Sequence, residues 1–454
     1  MIRKLSSACT RFMERYLPDA FLFAAILTVI VFVGAMLATG LGPVQMIRFW
    51  GDGFWALLAF STQMALVVLL GSTMARSKPF EKLVKKIAKS CKTPLRAAFI
   101  ITVFSAVAFW INWGIALVLG AMLAREIARE VKGVDYRLLI AMSYSGICIT
   151  QGGIGGSITL QVALAGALSK IAPSVFVAAD LIPITQTIFS PYNLVICALF
   201  AIIMPFVAVK MHPKAEETFE VDPAILADAK IEEKKLTYKE MTPAERIENS
   251  KIVWAIIVVL GFAYIVYHFV TKGFDLNINI TNFILLMVGV LLHGPNLINY
   301  VKAIAASIHS VAGVMLQFPF YAGIMGMMIG TNGSGVSLAS VLSNAFVAIS
   351  TVKTFPYFTY LSAGIVNFFI PSGGGQWAVQ GPIMMVAGDS LGVEPAKTVM
   401  AISYGDAWTN LIQPFWALPT LAVAKLKARD IMGYLVVALI VSFIITTFGL
   451  LVLA

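Results

Sequence analysis

Apolar and polar positions follow one another in long blocks along this chain. Uninterrupted apolar runs fall at 20–38, 54–74, 181–208, 251–271, 279–293, 305–330 and 431–453. A helix crossing a bilayer needs about 20 such residues, so each run predicts a span. Four further apolar regions are interrupted. Residues 97–124 break at Asn112-Trp113-Gly114, and 354–390 break at Pro371-Ser372-Gly373-Gly374-Gly375. Residues 136–170 break between Gln151 and Ser157, and 396–424 between Trp408 and Pro414. Residues 209–250 differ from all of these, with ten acids, seven bases and three prolines, and read as a solvated linker that is partly helical.

The distribution of charge orients these blocks. Of 33 Lys and Arg, 28 fall at the N-terminus, in 76–96, 125–137 and 210–251, at Lys302 and in 425–429. The other five, Arg48, Lys170, Lys272, Lys353 and Lys397, lie singly in the intervening loops. The positive-inside rule puts the 28 in the cytoplasm, with the N-terminus. Basic loops then flank 97–124 at both ends, so it enters and leaves on the cytoplasmic side, and 354–390 does the same from outside. Both are read as re-entrant hairpins, tolerable where their irregular backbone is buried in protein or lines a cavity. The expected fold is an all-α polytopic membrane protein with about nine crossing segments, two of them broken, plus two re-entrant hairpins.

Composition agrees. The chain of 454 residues is 59% hydrophobic and 12% charged, against about 25% charged in a soluble domain. That excludes a soluble enzyme, a secreted disulfide scaffold, a disordered regulator and a nucleic-acid binder; the net charge of +10 describes topology. Cys9, Cys91, Cys148 and Cys197 have no metal or disulfide spacing and read as small apolar fillers. The run from Ala20 to Ala38 exceeds a signal-peptide core and reads as a retained span.

The halves on either side of the linker carry the same markers in the same order. Gln63, Asn112 and Ala141-Met-Ser-Tyr144 in the first correspond to Gln317, Asn367 and Ala401-Ile-Ser-Tyr404 in the second. The Gln-to-Asn separations are 49 and 50 residues, and the Asn-to-Tyr separations 32 and 37. Each half has a helix-like stretch before its hairpin, at 80–90 and 336–350, either lying on the membrane or linking rigid and moving parts. The extra span 251–271 inverts the second half. The expected division is residues 1–208, the linker 209–250, and 251–454. Inverted repeats with broken helices are the usual build of secondary transporters.

Asp406 is the one acid of 23 inside an apolar stretch, and no Lys or Arg is. An intramembrane carboxylate is costly and points to function, here a cation ligand or a proton carrier. His309 reads as a packed histidine. With no buried base, an anionic substrate must be held by dipoles: N–H groups at half-helix N-termini attract anions, and unwound carbonyls ligate cations. The candidate ligands are Asn112, Gln151, Asn367, Ser372, Gly373, Gly374, Gly375, Gln376 and Gln413. Asp406 and Tyr404, with Ser143 and Tyr144 in the matching motif, are the candidates for a coupling proton or sodium ion; no other cofactor and no metal site is expected. Trp110, Trp113, Trp377, Trp408, Phe415 and Trp416 gather near the breaks, as belt residues or as walls of a small pocket. Motifs for a phosphate loop and an H-E-x-x-H metalloprotease are absent, and an aspartyl protease needs two carboxylates. A channel, or an intramembrane sensor or enzyme of other chemistry, stays open.

With these residues in view, the chain resembles the short-chain fatty acid transporter family nearly end to end. The carrying segments include Trp50-Gly-Asp-Gly-Phe-Trp55, Gln317-Phe-Pro-Phe-Tyr-Ala-Gly323, Pro371-Ser-Gly-Gly-Gly375, Gln413-Pro-Phe-Trp-Ala-Leu-Pro419 and Arg429-Asp-Ile-Met-Gly-Tyr434. The resemblance implies a permease of the bacterial inner membrane, not an enzyme, importing small monocarboxylates such as acetoacetate or butyrate. More remotely the chain is similar to the ion-transporter superfamily of carboxylate carriers, which implies a homodimer, cation coupling and an elevator-type motion. The alternative is an uncoupled facilitator or channel for the same anions. Asp406 stands where the family carries Glu, and the paired Ser-Asn-Thr tips of sodium-coupled dicarboxylate relatives are missing, so sodium is not implied.

Overall fold

Proline opens several helices, at Pro43, Pro94, Pro191, Pro243 and Pro395. At a first helical position its missing N–H has no intrahelical partner to lose. The computed structural model describes residues 20–221, 240–367, 370–413 and 416–453, and within these the regular structure is all helical. Cys9, Phe415 and residues 222–239 of the linker lie outside the described residues.

In chain order the first helices are α1 (Ala20–Thr39), α2 (Pro43–Gly53), α3 (Leu58–Ala75), α4 (Lys78–Ser90), α5 (Pro94–Ile111) and α6 (Trp113–Glu130). Then follow α7 (Tyr136–Ser145), a tighter turn over Gly146–Gly152, α8 (Ser157–Val162), α9 (Ala167–Ile171) and α10 (Pro191–Met211). After the linker come α11 (Pro243–Glu248), α12 (Lys251–Lys272), α13 (Ile278–His293), α14 (Leu297–Ser307) and α15 (Ala312–Ile329). The chain ends with α16 (Leu338–Ile349), α17 (Phe355–Asn367), α18 (Gly373–Leu391), α19 (Pro395–Thr409), α20 (Leu418–Ala424) and α21 (Ala428–Phe448).

Among the described residues six helices are long and apolar enough to cross a membrane, and a seventh if α13 and α14, bent by 118°, count as one. Two apolar runs are divided differently from their hydropathy. The 181–208 run becomes helical only at Pro191; before it the chain turns repeatedly, because Pro183 and Pro191 interrupt the i→i−4 ladder. The 305–330 run is split by a tight turn at Ile308–Val311, so α15 begins at Ala312. His309 lies in that turn and is exposed, where a packed side chain was expected.

The interior is formed by the interrupted segments together with α3 and part of α15. Leu138 to Gly153, Gly374 to Met385 and Thr398 to Ala407 are buried throughout. By contrast α12 buries only Gly261, and Ile252, Val259 and Val270 stand outward. Around the centre, α15 packs on α1, α2 and α3, and α3 in turn on α6 and α13. α4 lies along α6, and α16 along α18, so each amphipathic stretch packs on the helix following a break. Cys91, Cys148 and Cys197 are buried, in keeping with a packing role.

Candidate functional site

Each break is locally dictated. Asn112 both ends α5 and starts α6, and its Oδ1 accepts from the Ile115 N–H at 3.0 Å. Ser372 caps α18 in the same way, accepting from the Gly375 N–H at 3.4 Å. In the stretch after α7, Gly153 lies so close to the Trp110 carbonyl that no Cβ fits. The neighbouring Gly155 N–H donates to that same carbonyl at 3.1 Å. Thr150 adds a bond to the Phe109 carbonyl at 2.7 Å, tying the break to α5.

Gln151 is at the centre of the arrangement. Its Oε1 accepts the Ser157 N–H at 2.9 Å and the Ile158 N–H at 3.4 Å. Those backbone donors can be met only by the amide oxygen, so the Nε2 side faces the other way. Nε2 donates to Ser157 Oγ and to Asp406 Oδ2, both at 3.0 Å. Asp406 is 1% exposed, and its Oδ1 has no hydrogen-bond partner among the described residues. Gly373, at the first position of α18, abuts the same group: a Cβ there would run into Gln151 Nε2 and lie 2.7 Å from Ser157 Oγ and 3.1 Å from Asp406 Oδ2.

These groups face a small cavity. Its polar lining residues are Thr150, Gln151, Ser157, Ser372, Gly373, Asp406 and Asn410, and its apolar ones Met64, Trp113, Ile147, Phe318 and Trp416. The rings of Trp113 and Trp416 meet edge to face with centroids 4.7 Å apart. No Lys, Arg or His is among the lining residues, so what attracts an anion is the N-terminus of α18. Ser372 satisfies the Gly375 and Gln376 N–H groups, and of the two glycines before them Gly373 lines the cavity.

Comparison with known proteins gives this geometry a context. The family model described as Short chain fatty acid transporter matches residues 1–453. The chain belongs to that family. A relative in Escherichia coli (strain K12), named "Putative short-chain fatty acid transporter", is 43% identical over 99% of both chains. One of the same name in Haemophilus influenzae is 41% identical, again over 99% of each. The crystal structure of the Alcanivorax borkumensis YdaH transporter matches 95% of this chain and 98% of its own, with a TM-score of 0.55 at 15% identity, and so shares the fold.

In this member of the short-chain fatty acid transporter family, four of the residues singled out by sequence meet at the cavity: Gln151, Ser372, Gly373 and Asp406. The others lie behind it. Asn112 is buried against Gly71 and Gly155. Asn367 donates to Thr409 Oγ1 at 2.9 Å and Asn410 Oδ1 at 3.0 Å. Gly374 packs against Phe60 and Phe318, Gly375 against Tyr321, and Gln376 donates to the Ala363 carbonyl and to Gln380. Gln413 is buried beyond the lining, its N–H on the Thr409 carbonyl. Ser143 donates to the Ile140 carbonyl, and Tyr144 to the Asn410 carbonyl. Tyr404 precedes Asp406 by two residues and so faces the opposite side of α19, donating to Asn193 Oδ1. Of the aromatic cluster, Trp113 and Trp416 reach the cavity, while Trp110 packs on Phe189 and Trp408 on Tyr360 and Phe443.

Sequence reasoning missed Met64, Ile147, Thr150, Phe318 and Asn410. Met64 and Phe318 each follow a flagged glutamine, Gln63 or Gln317. One residue along a helix is a rotation of about 100°, enough to separate the marker from the residue that meets the cavity. Thr150 and Asn410 were visible as polar residues inside broken apolar stretches.

Proposed function

We propose that this chain is a secondary transporter importing short-chain fatty acids or related small monocarboxylates, such as acetoacetate and butyrate, across the bacterial cytoplasmic membrane, its N-terminus inside. The observation that carries the reading is the two-faced cavity. A helix N-terminus, an amide and hydroxyls suit a carboxylate, and five apolar side chains suit a short acyl tail. In this reading Ser372, Gly373 and Gln151 hold the substrate carboxylate, and Gly374 packs behind Gly373. Asn112, Asn367, Gly375, Gln376 and Gln413 shape the tips behind them, and Asp406 carries the coupling cation or proton. Tyr404, Tyr144 and Ser143 fix the backbone around Asp406.

The inverted-repeat architecture belongs to the same proposal, with 1–208 and 251–454 as its halves, two re-entrant hairpins and an elevator-type motion of a homodimer. Matching contacts support it. Thr150 bonds the Phe109 carbonyl and Thr409 the Gly364 carbonyl, each three residues before the hairpin asparagine. Tyr144 reaches the second break at Asn410, and Tyr404 reaches Asn193, whose Nδ2 donates to the Gly152 carbonyl of the first break.

The test is uptake of labelled butyrate and acetoacetate into proteoliposomes under a proton gradient, a sodium gradient or neither. Protein-free vesicles correct for permeation of the neutral acids. Accumulation above that background under one gradient, lost in Gln151→Ala, is expected. Equilibration without accumulation would leave a facilitator, and no protein-dependent uptake of either acid would overturn the reading.

A further inference from the structure

The Asp406 carboxylate has one oxygen, Oδ1, without a hydrogen-bond partner among the described residues. The groups set around the carboxylate are donors. Gln151 presents Nε2 to Oδ2, held in that orientation by the backbone N–H groups of Ser157 and Ile158, and α18 brings its first residue, Gly373, to the cavity beside it. Donors repel a metal cation and suit an anion. Of the oxygens nearby, Asn410 Oδ1 accepts from Asn367, Ser157 Oγ from Gln151 and Ser372 Oγ from Gly375, while Thr150 Oγ1 is held on the Phe109 carbonyl. Among the described residues Asp406 Oδ1 is the one carboxylate oxygen of the lining without a partner, where a hard cation takes about six oxygen ligands.

The same geometry forces two carboxylates together. A substrate anion at the Gly373 end of α18 lies beside Asp406, because even a Cβ on Gly373 would stand 3.1 Å from Asp406 Oδ2. Two negative charges would then share a buried site with only the half-charge of a helix N-terminus to balance them. A pair of carboxyl groups so placed holds one proton between them, as a short O–H···O⁻ bond. Resting on the transport reading above, we propose that the coupled species is a proton, held jointly by the substrate carboxylate and Asp406, so that one substrate binds with one proton and without sodium. The proton enters as H⁺ with the substrate anion and leaves with it, and no other bond is made or broken.

No other group competes for that role. The elements packed on α19 carry the titratable Cys148, Tyr357, Tyr360 and Tyr434, the nearby α7 and α10 carry Tyr136, Tyr144, Tyr192 and Cys197, and Tyr404 lies on α19 itself. None of these lines the cavity. Tyr144 donates to the Asn410 carbonyl, Tyr404 to Asn193, and Cys148 to the Ser145 carbonyl. Cys197 faces Tyr404 and Asn193. The charged residues of these elements, Arg137, Lys210, Asp389, Lys397, Arg429 and Asp430, fall in the first or last turns of their helices, away from the break.

Butyrate binding to the full chain in nanodiscs, followed by calorimetry from pH 6 to 9 with sodium or with choline, tests this. Proton linkage predicts that the wild-type Kd rises tenfold per pH unit at the alkaline end, identically in both salts. Asp406→Glu should keep that slope. Asp406→Asn, whose amide donates to the substrate without a proton, should bind with a flat profile. A wild-type Kd that is flat to pH 9, or that falls on adding sodium, overturns the proton assignment and leaves the transport reading standing. No butyrate or acetoacetate binding by folded wild type overturns both. If Asp406→Asn fails to give a monodisperse protein, the wild-type slope and the sodium comparison decide.

Discussion

Tyr144 donates its hydroxyl to the carbonyl of Asn410 at 2.8 Å, joining residues 266 positions apart in the chain. The bond crosses from the end of one broken helix to the interruption of the other. Asn410 lines the cavity, so Tyr144 fixes a wall it does not itself form. Removing the hydroxyl in Tyr144→Phe leaves a buried carbonyl unpaired, at a cost of about 1–3 kcal/mol. The variant should melt at a lower temperature and bind butyrate several-fold more weakly. Tyr404→Phe loses the bond to Asn193, further from the cavity, and should lose stability with a smaller change in Kd. Melting curves and calorimetry on the two purified variants separate the effects; equal losses of affinity would count against the distinction.

Gly373 makes a sharper prediction, because the site has no room for a side chain there. A Cβ would collide with Gln151 Nε2 and crowd Ser157 Oγ at 2.7 Å. Neither neighbour can retreat freely, since Gln151 is tied to two backbone N–H groups and to Asp406. Gly373→Ala should therefore lower butyrate affinity at least tenfold while the protein stays folded. Gly333→Ala is the control: nothing lies within 4 Å of its added Cβ, and its transport should match wild type. Retention of full affinity in Gly373→Ala would remove the α18 N-terminus from the site.

How much of this was legible beforehand follows from the chemistry of each position. Asp406 was visible because an acid in an apolar run is conspicuous. The glycine clusters were visible because glycine so concentrated marks irregular backbone. Their convergence was not, since nothing in the one-dimensional pattern says that Gln151 and Asp406 lie 3.0 Å apart across 255 residues. Met64, Ile147 and Phe318 could not be found at all, because an apolar side chain facing a cavity and one facing lipid have the same hydropathy. Asn112 and Asn367 were rightly placed at the breaks, but an asparagine that caps a helix or pins a neighbour resembles one that binds a ligand.

The apolar wall should set the length of the acyl chain. Trp113 meets Trp416 edge to face, and the two form part of the apolar lining of the cavity. Trp113→Leu opens that wall without introducing a polar group. Each methylene newly accommodated contributes about 0.8 kcal/mol, so two of them shift the hexanoate-to-butyrate affinity ratio by about tenfold. Competition of unlabelled propionate, butyrate and hexanoate against labelled butyrate measures the ratio. An unchanged order of potency would show that Trp113 does not limit chain length.

A different part of the molecule couples the linker to the broken helix. Asp135, fully buried, caps α7 by accepting from the Leu138 N–H at 2.7 Å. Its other oxygen accepts from the Phe219 N–H at 2.9 Å, and the Tyr434 hydroxyl donates from α21 to the capping oxygen, Oδ1, at 3.3 Å. The Asp135 N–H donates to His212 Nε2, the Gly133 N–H to Glu220, and the Arg137 guanidinium lies 4.6 Å from the Phe219 ring centroid. The linker from His212 to Glu220 is thus clipped to the entrance of α7, with the Asp135 carboxylate at the centre of the contacts. Asp135→Ala removes the acceptor for three donors and should cost about 1–3 kcal/mol. Because the clip holds Lys214 close to the body, trypsin should cleave after it faster in Asp135→Ala than in wild type. Asp135→Asn should fall between, since its Oδ1 can still cap α7 while its Nδ2 confronts the Phe219 N–H. Cleavage at the wild-type rate in a folded Asp135→Ala would mean that the linker is held by Glu220 and Arg137 instead.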